Sequence, residues 1–162
     1  MSRLGREPED PCDVDACRES ALRLLDAADR PSGALRDRLI DKGYDDETVA
    51  AVVDRLIEVG LVDDESYAQS AVRYCVGRLM GYRGAVMELA RKGVDRPLAE
   101  RVCDEARMSG VFEDAAWELG RRSAAKTQGM DPKVRKRRFW SSGGRKGHDA
   151  ETLRAVAHEL FD

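Results

Sequence analysis

Apolar side chains recur at intervals of three and four residues along most of the chain. Ala21, Leu22, Leu25 and Ala28 form one stripe, Leu35 and Leu39 a second, and Val49, Val52, Val53, Leu56 and Val59 a third. This spacing puts each set on one face of an α-helix, and nowhere does the alternation of a half-buried strand persist. The pattern predicts an all-α protein. Helix punctuation falls between the stripes: Ser32 after Pro31, Asp63, and Asp131 before Pro132 offer N-terminal caps, and Gly43 after Lys42 offers a left-handed C-terminal residue.

The stripes repeat. Lys42-Gly43 and Lys92-Gly93 lie 50 residues apart, and the apolar positions around them match: Ala21, Leu22 and Leu25 answer to Ala71, Val72 and Cys75, Leu39 to Leu89, and Val52 and Val53 to Val102 and Cys103. Lys146-Gly147 follows at a spacing of 54, with Leu153, Val156, Ala157 and Leu160 in the places of Val49, Val52, Val53 and Leu56. Three tandem repeats of three helices are expected, helix-turn-helix-like in kind. After a flexible tail over residues 1–14, they span 15–61, 62–110 and 111–162. The third repeat is expected to carry an insertion near its start and a basic second helix interrupted at Phe139-Trp140-Ser141-Ser142-Gly143-Gly144. A unit of about fifty residues buries too little surface to stand alone, so the repeats are expected to stack into an elongated, curved array.

Composition narrows the class. Charged residues make up 36% of the 162, above the roughly 25% usual for globular domains, which suits helices with solvated outer faces. No stretch approaches the roughly 18 apolar residues of a membrane span, and no secretion signal opens the chain, so a cytoplasmic protein is expected. Cys12, Cys17, Cys75 and Cys103 include no Cys-x-x-Cys pair, and His148 and His158 lie far from them, which argues against a metal site and for reduced thiols. No nucleophile-base constellation or phosphate-cradling glycine loop occurs, so no enzyme activity and no cofactor is expected. His148 is expected near a helix start and His158 on the last helix.

Charge is polarised along the chain despite a net of only −3. Between residues 121 and 148, ten basic side chains face one acid, Asp131; these are Arg121, Arg122, Lys126, Lys133, Arg135, Lys136, Arg137, Arg138, Arg145 and Lys146. Residues 1–120 carry −9. Five bases within six positions spread around more than half of a helix, so some must face solvent or a partner, and phosphates would reward them. This basic patch is the candidate binding site. Asp63, Asp64 and Glu65 are instead expected to cap a helix start, where exposed N–H groups favour carboxylates. Phe139 and Trp140 are expected in the core.

Several segments together resemble the RecX regulatory proteins of bacteria: Ala21-Leu22-Arg23-Leu24-Leu25, Arg30 to Leu35, Leu39-Ile40-Asp41-Lys42-Gly43-Tyr44, and Gly60 to Ala68 with its Asp63-Asp64-Glu65-Ser66-Tyr67-Ala68 run. Gly84 to Val94, containing Lys92-Gly93, is similar to that family's middle repeat, and Gly147 closes the third copy. The resemblance implies a non-enzymatic modulator that binds the RecA filament on single-stranded DNA and opposes its recombinase, ATPase and co-protease activities in DNA repair and the SOS response. It also implies three repeats of three helices. In this reading Lys42, Gly43, Asp63, Asp64, Glu65, Tyr67, Ala68, Lys92, Gly93 and Gly147 are mainly structural, and the partners are the RecA filament and single-stranded DNA. A monomer is expected. A general nucleic-acid binder built of tandem helical units is the alternative.

Overall fold

The computed structural model describes residues 7–162. Nine α-helices occur among them: α1 Val14–Ala27, α2 Ser32–Asp41, α3 Asp46–Glu58, α4 Asp64–Gly77, α5 Tyr82–Arg91, α6 Arg96–Met108, α7 Val111–Lys126, α8 Pro132–Arg145 and α9 Ala150–Phe161. The described residues contain no strand. Aspartates open many of the helices. Asp13, Asp45, Asp63, Asp131 and Asp149 each accept a backbone N–H from the first turn that follows, at 2.7–3.1 Å. Gly43, Gly93 and Gly147 end α2, α5 and α8 with φ of 110°, 103° and 83°, a region that side chains with a Cβ avoid.

Two compact units divide the described residues, one holding residues up to 68 with 92–95, the other 69–91 with 96–162. In the first, α1 and α2 pack on α3, and Cys17, Ala21, Leu35, Leu39, Val49, Val52 and Val53 are almost completely buried. In the second, α5 packs on α6, while α7, α8 and α9 enclose Phe139, which is 0% exposed and stacks on Phe161 at 5.3 Å. Trp140 packs at the edge of the same cluster.

α8 departs from the expected interruption: it runs unbroken through Ser141, Ser142, Gly143 and Gly144. Each interior glycine costs about 1 kcal/mol of helix propensity, but Gly143 is buried and a Cβ there would collide with the Leu153 side chain of α9. The glycine lets the two helices close, and that packing offsets the propensity loss. The extra residues of the third repeat also lie elsewhere than near its start. α5 and α8 begin 50 residues apart, at Tyr82 and Pro132, but end 54 apart, at Arg91 and Arg145. Four residues make close to one helical turn, so α8 is lengthened while its buried face is nearly preserved.

The Lys-Gly turns also receive other backbone. A Cβ on Gly93 would stand 2.8 Å from the Ala34 nitrogen, and one on Gly33 2.5 Å from the Gly93 carbonyl oxygen, so the start of α2 is seated on the α5–α6 turn. The start of α5 sits in the same way on the α8–α9 turn, where a Cβ on Gly81 would stand 2.6 Å from the Gly147 oxygen. The corresponding place at Gly43 is taken by the Pro8 ring. Residues 7–13 are therefore fastened rather than a flexible tail: the Asp45 amide donates to the Pro11 carbonyl at 3.0 Å, and the Cys12 thiol donates to Asp45 at 2.7 Å. Residues 1–6 of the expected tail lie outside the described residues.

A second departure concerns α2. Its cap residue is Pro31, and Ser32 is the first helical residue. The α2 start is satisfied by Asp64, whose carboxylate accepts the Ser32 amide at 2.6 Å and its hydroxyl at 2.5 Å. Only Asp63 caps α4 in the expected manner, accepting from Ser66.

Candidate nucleic-acid interface

The ten basic residues fall on α7, on α8 and in the turn after it, and the structure sorts them by what they hold. Arg135 is half-buried: its guanidinium donates to the Thr127 hydroxyl and the Ala124 carbonyl, both at 3.1 Å, and lies 5.4 Å from the centre of the Phe161 ring. It fastens α8 to α7 and α9 and is not part of an open basic face. Lys136 is joined to Asp162 just after α9, and Arg121 and Arg122 share Glu118 at 3.2 and 3.0 Å. The hydrogen bonds from Arg122 and Arg121 hold the Glu118 carboxyl below the usual range. Arg138 contacts the Met130 sulfur, and Arg145 donates to Ser141. The side chains of Lys126, Lys133 and Arg137 are exposed and have no ion-pair or hydrogen-bond partner among the described residues.

Four of the ten converge. Arg122, Lys126, Arg138 and Lys146 line a groove of about 390 Å³ together with Leu79, Leu119, Ser123, Thr127 and Ser142, and no carboxylate stands among the described residues that line it. A fifth cation, Arg78 at the end of α4, completes it. Sequence reasoning missed Arg78, because it stands 43 residues before the basic run and nothing local marks it. Only the meeting of the α4–α5 and α8–α9 turns brings it there. Lys146 donates its ammonium to the Arg78 carbonyl at 2.8 Å, His148 donates its Nε2 proton to the Leu79 carbonyl at 2.8 Å, and the Gly81 amide donates to the Lys146 carbonyl at 2.9 Å.

This clasp holds Leu79 at φ 61°, the one non-glycine residue with positive φ among those described. A left-handed backbone costs a residue with a Cβ about 1–2 kcal/mol, and such strain collects at functional sites. His148 is 7% exposed, and burial pushes its imidazole below the ordinary histidine value despite the Leu79 carbonyl. The neutral ring thus serves as a fastener on the Leu79 carbonyl, behind the groove that Leu79 lines.

The remaining candidates take structural places. Gly43, Gly93 and Gly147 form the turns described above; Ala68 is fully buried, Tyr67 half-buried, and Asp63 and Asp64 satisfy helix starts. Glu65 stands in the first turn of α4. Cys17, Cys75 and Cys103 are buried, and burial pushes the Cys17 thiol up to about 11 and that of Cys103 up to about 12, so neither supplies a thiolate at neutral pH. Among the described residues no three His, Cys, Asp or Glu side chains group as metal ligands, and no helix is long and apolar enough to cross a membrane.

Comparison with known proteins places this geometry in a family. The profile described as "RecX, first three-helix domain" matches residues 17–56. The regulatory protein RecX of Thermobifida fusca is 37% identical over 147 residues, covering 88% of this chain and 78% of that protein. That of Streptomyces lividans is 32% identical over 158 residues, covering 96% and 82%. Against RecX of Mycobacterium sp. strain JLS the identity is 43% over 98 residues, and there the chain spans about half of its relative, 52%. The crystal structure of RecX from Lactobacillus salivarius superposes with a TM-score of 0.80 over 91% of this chain and 96% of that one, at 20% identity, which shows that the fold is shared. With this helical fold and with relatives matched along most of their length, the chain belongs to the RecX family of regulatory proteins.

Proposed function

We propose that this protein binds the RecA filament on single-stranded DNA and lowers its recombinase, ATPase and co-protease activities, so acting in DNA repair and the SOS response. The reading joins the regulatory family to one observation on this chain, the groove lined by Arg78, Arg122, Lys126, Arg138 and Lys146, of which Arg122 is paired with Glu118. Phosphates neutralised there would release counterions and give affinity without reading base identity. The acidic residues 1–120, at −9, would meet basic protein surface rather than DNA. In this reading the protein is a cytoplasmic monomer with no catalytic step of its own.

The test is RecA ATP hydrolysis on single-stranded DNA, titrated with this protein below and at equimolar ratio and at two salt concentrations. Inhibition well below one copy per RecA supports action on the filament. The groove also favours a second reading, a nucleic-acid binder that does not need RecA. DNA binding without any effect on RecA hydrolysis would select that one.

A further inference from the structure

The middle repeat lacks a leucine that the other two possess. α1 and α4 start and end 50 residues apart, as do α3 and α6, and α9 starts 54 residues after α6, so Leu56, Ala106 and Leu160 hold the same place. Leu56 is 3% exposed and belongs to the core that α1 and α3 share. Leu160 reaches α7 so closely that a Cβ on Gly120 would stand 2.9 Å from its Cδ1. Ala106 stops at its Cβ, and a groove of about 420 Å³ opens there between α4 and α6, lined on its apolar side by Val72, Val76, Val102, Ala106 and Val111. Val72 and Val102 are buried, whereas Val76, Ala106 and Val111 stay half-buried. Charge at the rim differs in the same repeat. Arg23 pairs with Glu19 at 3.9 Å, but their counterparts are Arg73 and Gln69. Arg73, exposed at the groove, donates to the Ser70 hydroxyl at 2.9 Å and makes no ion pair among the described residues. On α6, Glu105 is already joined to Arg101 at 3.1 Å, so the open charge at the mouth is positive.

We propose that this groove is a docking site for an amphipathic helix of a protein partner, which seats aliphatic side chains against Val72, Val102 and Ala106 and sets a carboxylate on Arg73. The first and third repeats close the same place with leucine, so the opening is not a demand of the architecture. What fills it has the character of the side chain missing from it. A groove of this size takes more than one anchor, and leucines at i and i+4 of a helix lie on one face. Their removal from water supplies affinity, and the carboxylate facing Arg73 fixes orientation. A nucleic-acid strand offers no aliphatic side chain, and the groove shares no lining residue with the basic one. The site therefore goes beyond the filament reading and does not rest on it.

The other repeats supply the test variants. Ala106→Leu restores the leucine of both, and Val76→Asp restores the exposed residue at the matching place of α1, Asp26. The measurement is amide nitrogen–proton correlation NMR of the full chain, without RecA or DNA, so its outcome leaves the filament reading to its own assay. The probe is a helix-forming alanine-glutamine peptide that carries leucines at i and i+4 beside a glutamate. Peptides with both leucines changed to alanine, or the glutamate changed to lysine, are titrated in parallel. The native chain should show saturable shifts within 69–77 and 102–111, and the leucine-free peptide should bind at least about tenfold more weakly. Ala106→Leu and Val76→Asp should each weaken binding by at least about tenfold while keeping the native spectrum elsewhere. If either fails to fold, the other decides. Arg73→Glu should reverse the preference and take the lysine peptide over the glutamate one, which no loss of packing produces. Absence of saturable shifts at millimolar peptide, indifference to the leucines, undiminished binding by the folded groove variants, or an unchanged preference in Arg73→Glu would overturn the site. So would self-association of the native chain that Ala106→Leu abolishes, since a second copy would then be the occupant.

Discussion

His148 shows how much one residue's surroundings decide. Its counterparts after the other two Lys-Gly turns are Tyr44 and Val94, both buried, so the position asks for a space-filling side chain and the imidazole enters as one. Burial lowers its affinity for a proton in the fold. Between the ordinary histidine value, near 6.5, and the lowered one, the unfolded chain binds more protons, so stability must fall as pH falls through that window. Urea unfolding from pH 7.5 to 5 should show this loss, and His148→Val should flatten it. Asp64 is the second case. It looks like a cap for its own helix but serves the start of α2, and Asp64→Ala should cost about 1–2 kcal/mol in the same assay, the scale of a lost N-terminal cap. A sequence reading finds the carboxylate and its general task. It does not find the partner, because Ser32 is 32 residues away and no periodicity links the two.

At the level of the element, the positions of the helices follow from apolar spacing and caps, and Gly43, Asp63 and Asp131 mark helix ends as the punctuation predicts, while Ser32 does not. α8 departs further. Its glycines and serines read as a break because propensity counts only local terms, whereas Gly143 is chosen for the space Leu153 needs and Gly144 faces open solvent. The two neighbours should respond with opposite sign. Gly143→Ala should destabilise the protein by about 1–3 kcal/mol through overpacking against α9, and Gly144→Ala should stabilise it by about 0.5–1 kcal/mol through helix propensity. Thermal unfolding of the pair checks this, and equal shifts would show that the close approach of α8 and α9 does not govern the site.

For the whole molecule, the relevant quantity is where charge is free to act. The sequence marks a block of ten bases, yet Arg135 and Lys136 are committed to holding α8 against its neighbours, while Arg78 joins from the middle repeat. Reversing Lys126 and Arg138 to glutamate should therefore weaken DNA-dependent association and flatten its salt dependence, the slope falling by about 0.7 for each single-strand phosphate no longer neutralised. Arg135→Glu should instead lower the melting temperature. Binding measured at several salt concentrations beside a thermal scan separates these outcomes. The sequence by itself determined the helical class, the threefold recurrence, the glycine turns, the polarised charge and the family, because each is written in local spacing or in residue type. Tertiary structure alone decided that α8 continues through its glycines, that Asp64 caps another helix, and that Arg78 and Lys146 share a groove beside a turn fastened by a neutral histidine. Those features depend on distances between residues far apart in the chain, and only the folded backbone sets such distances.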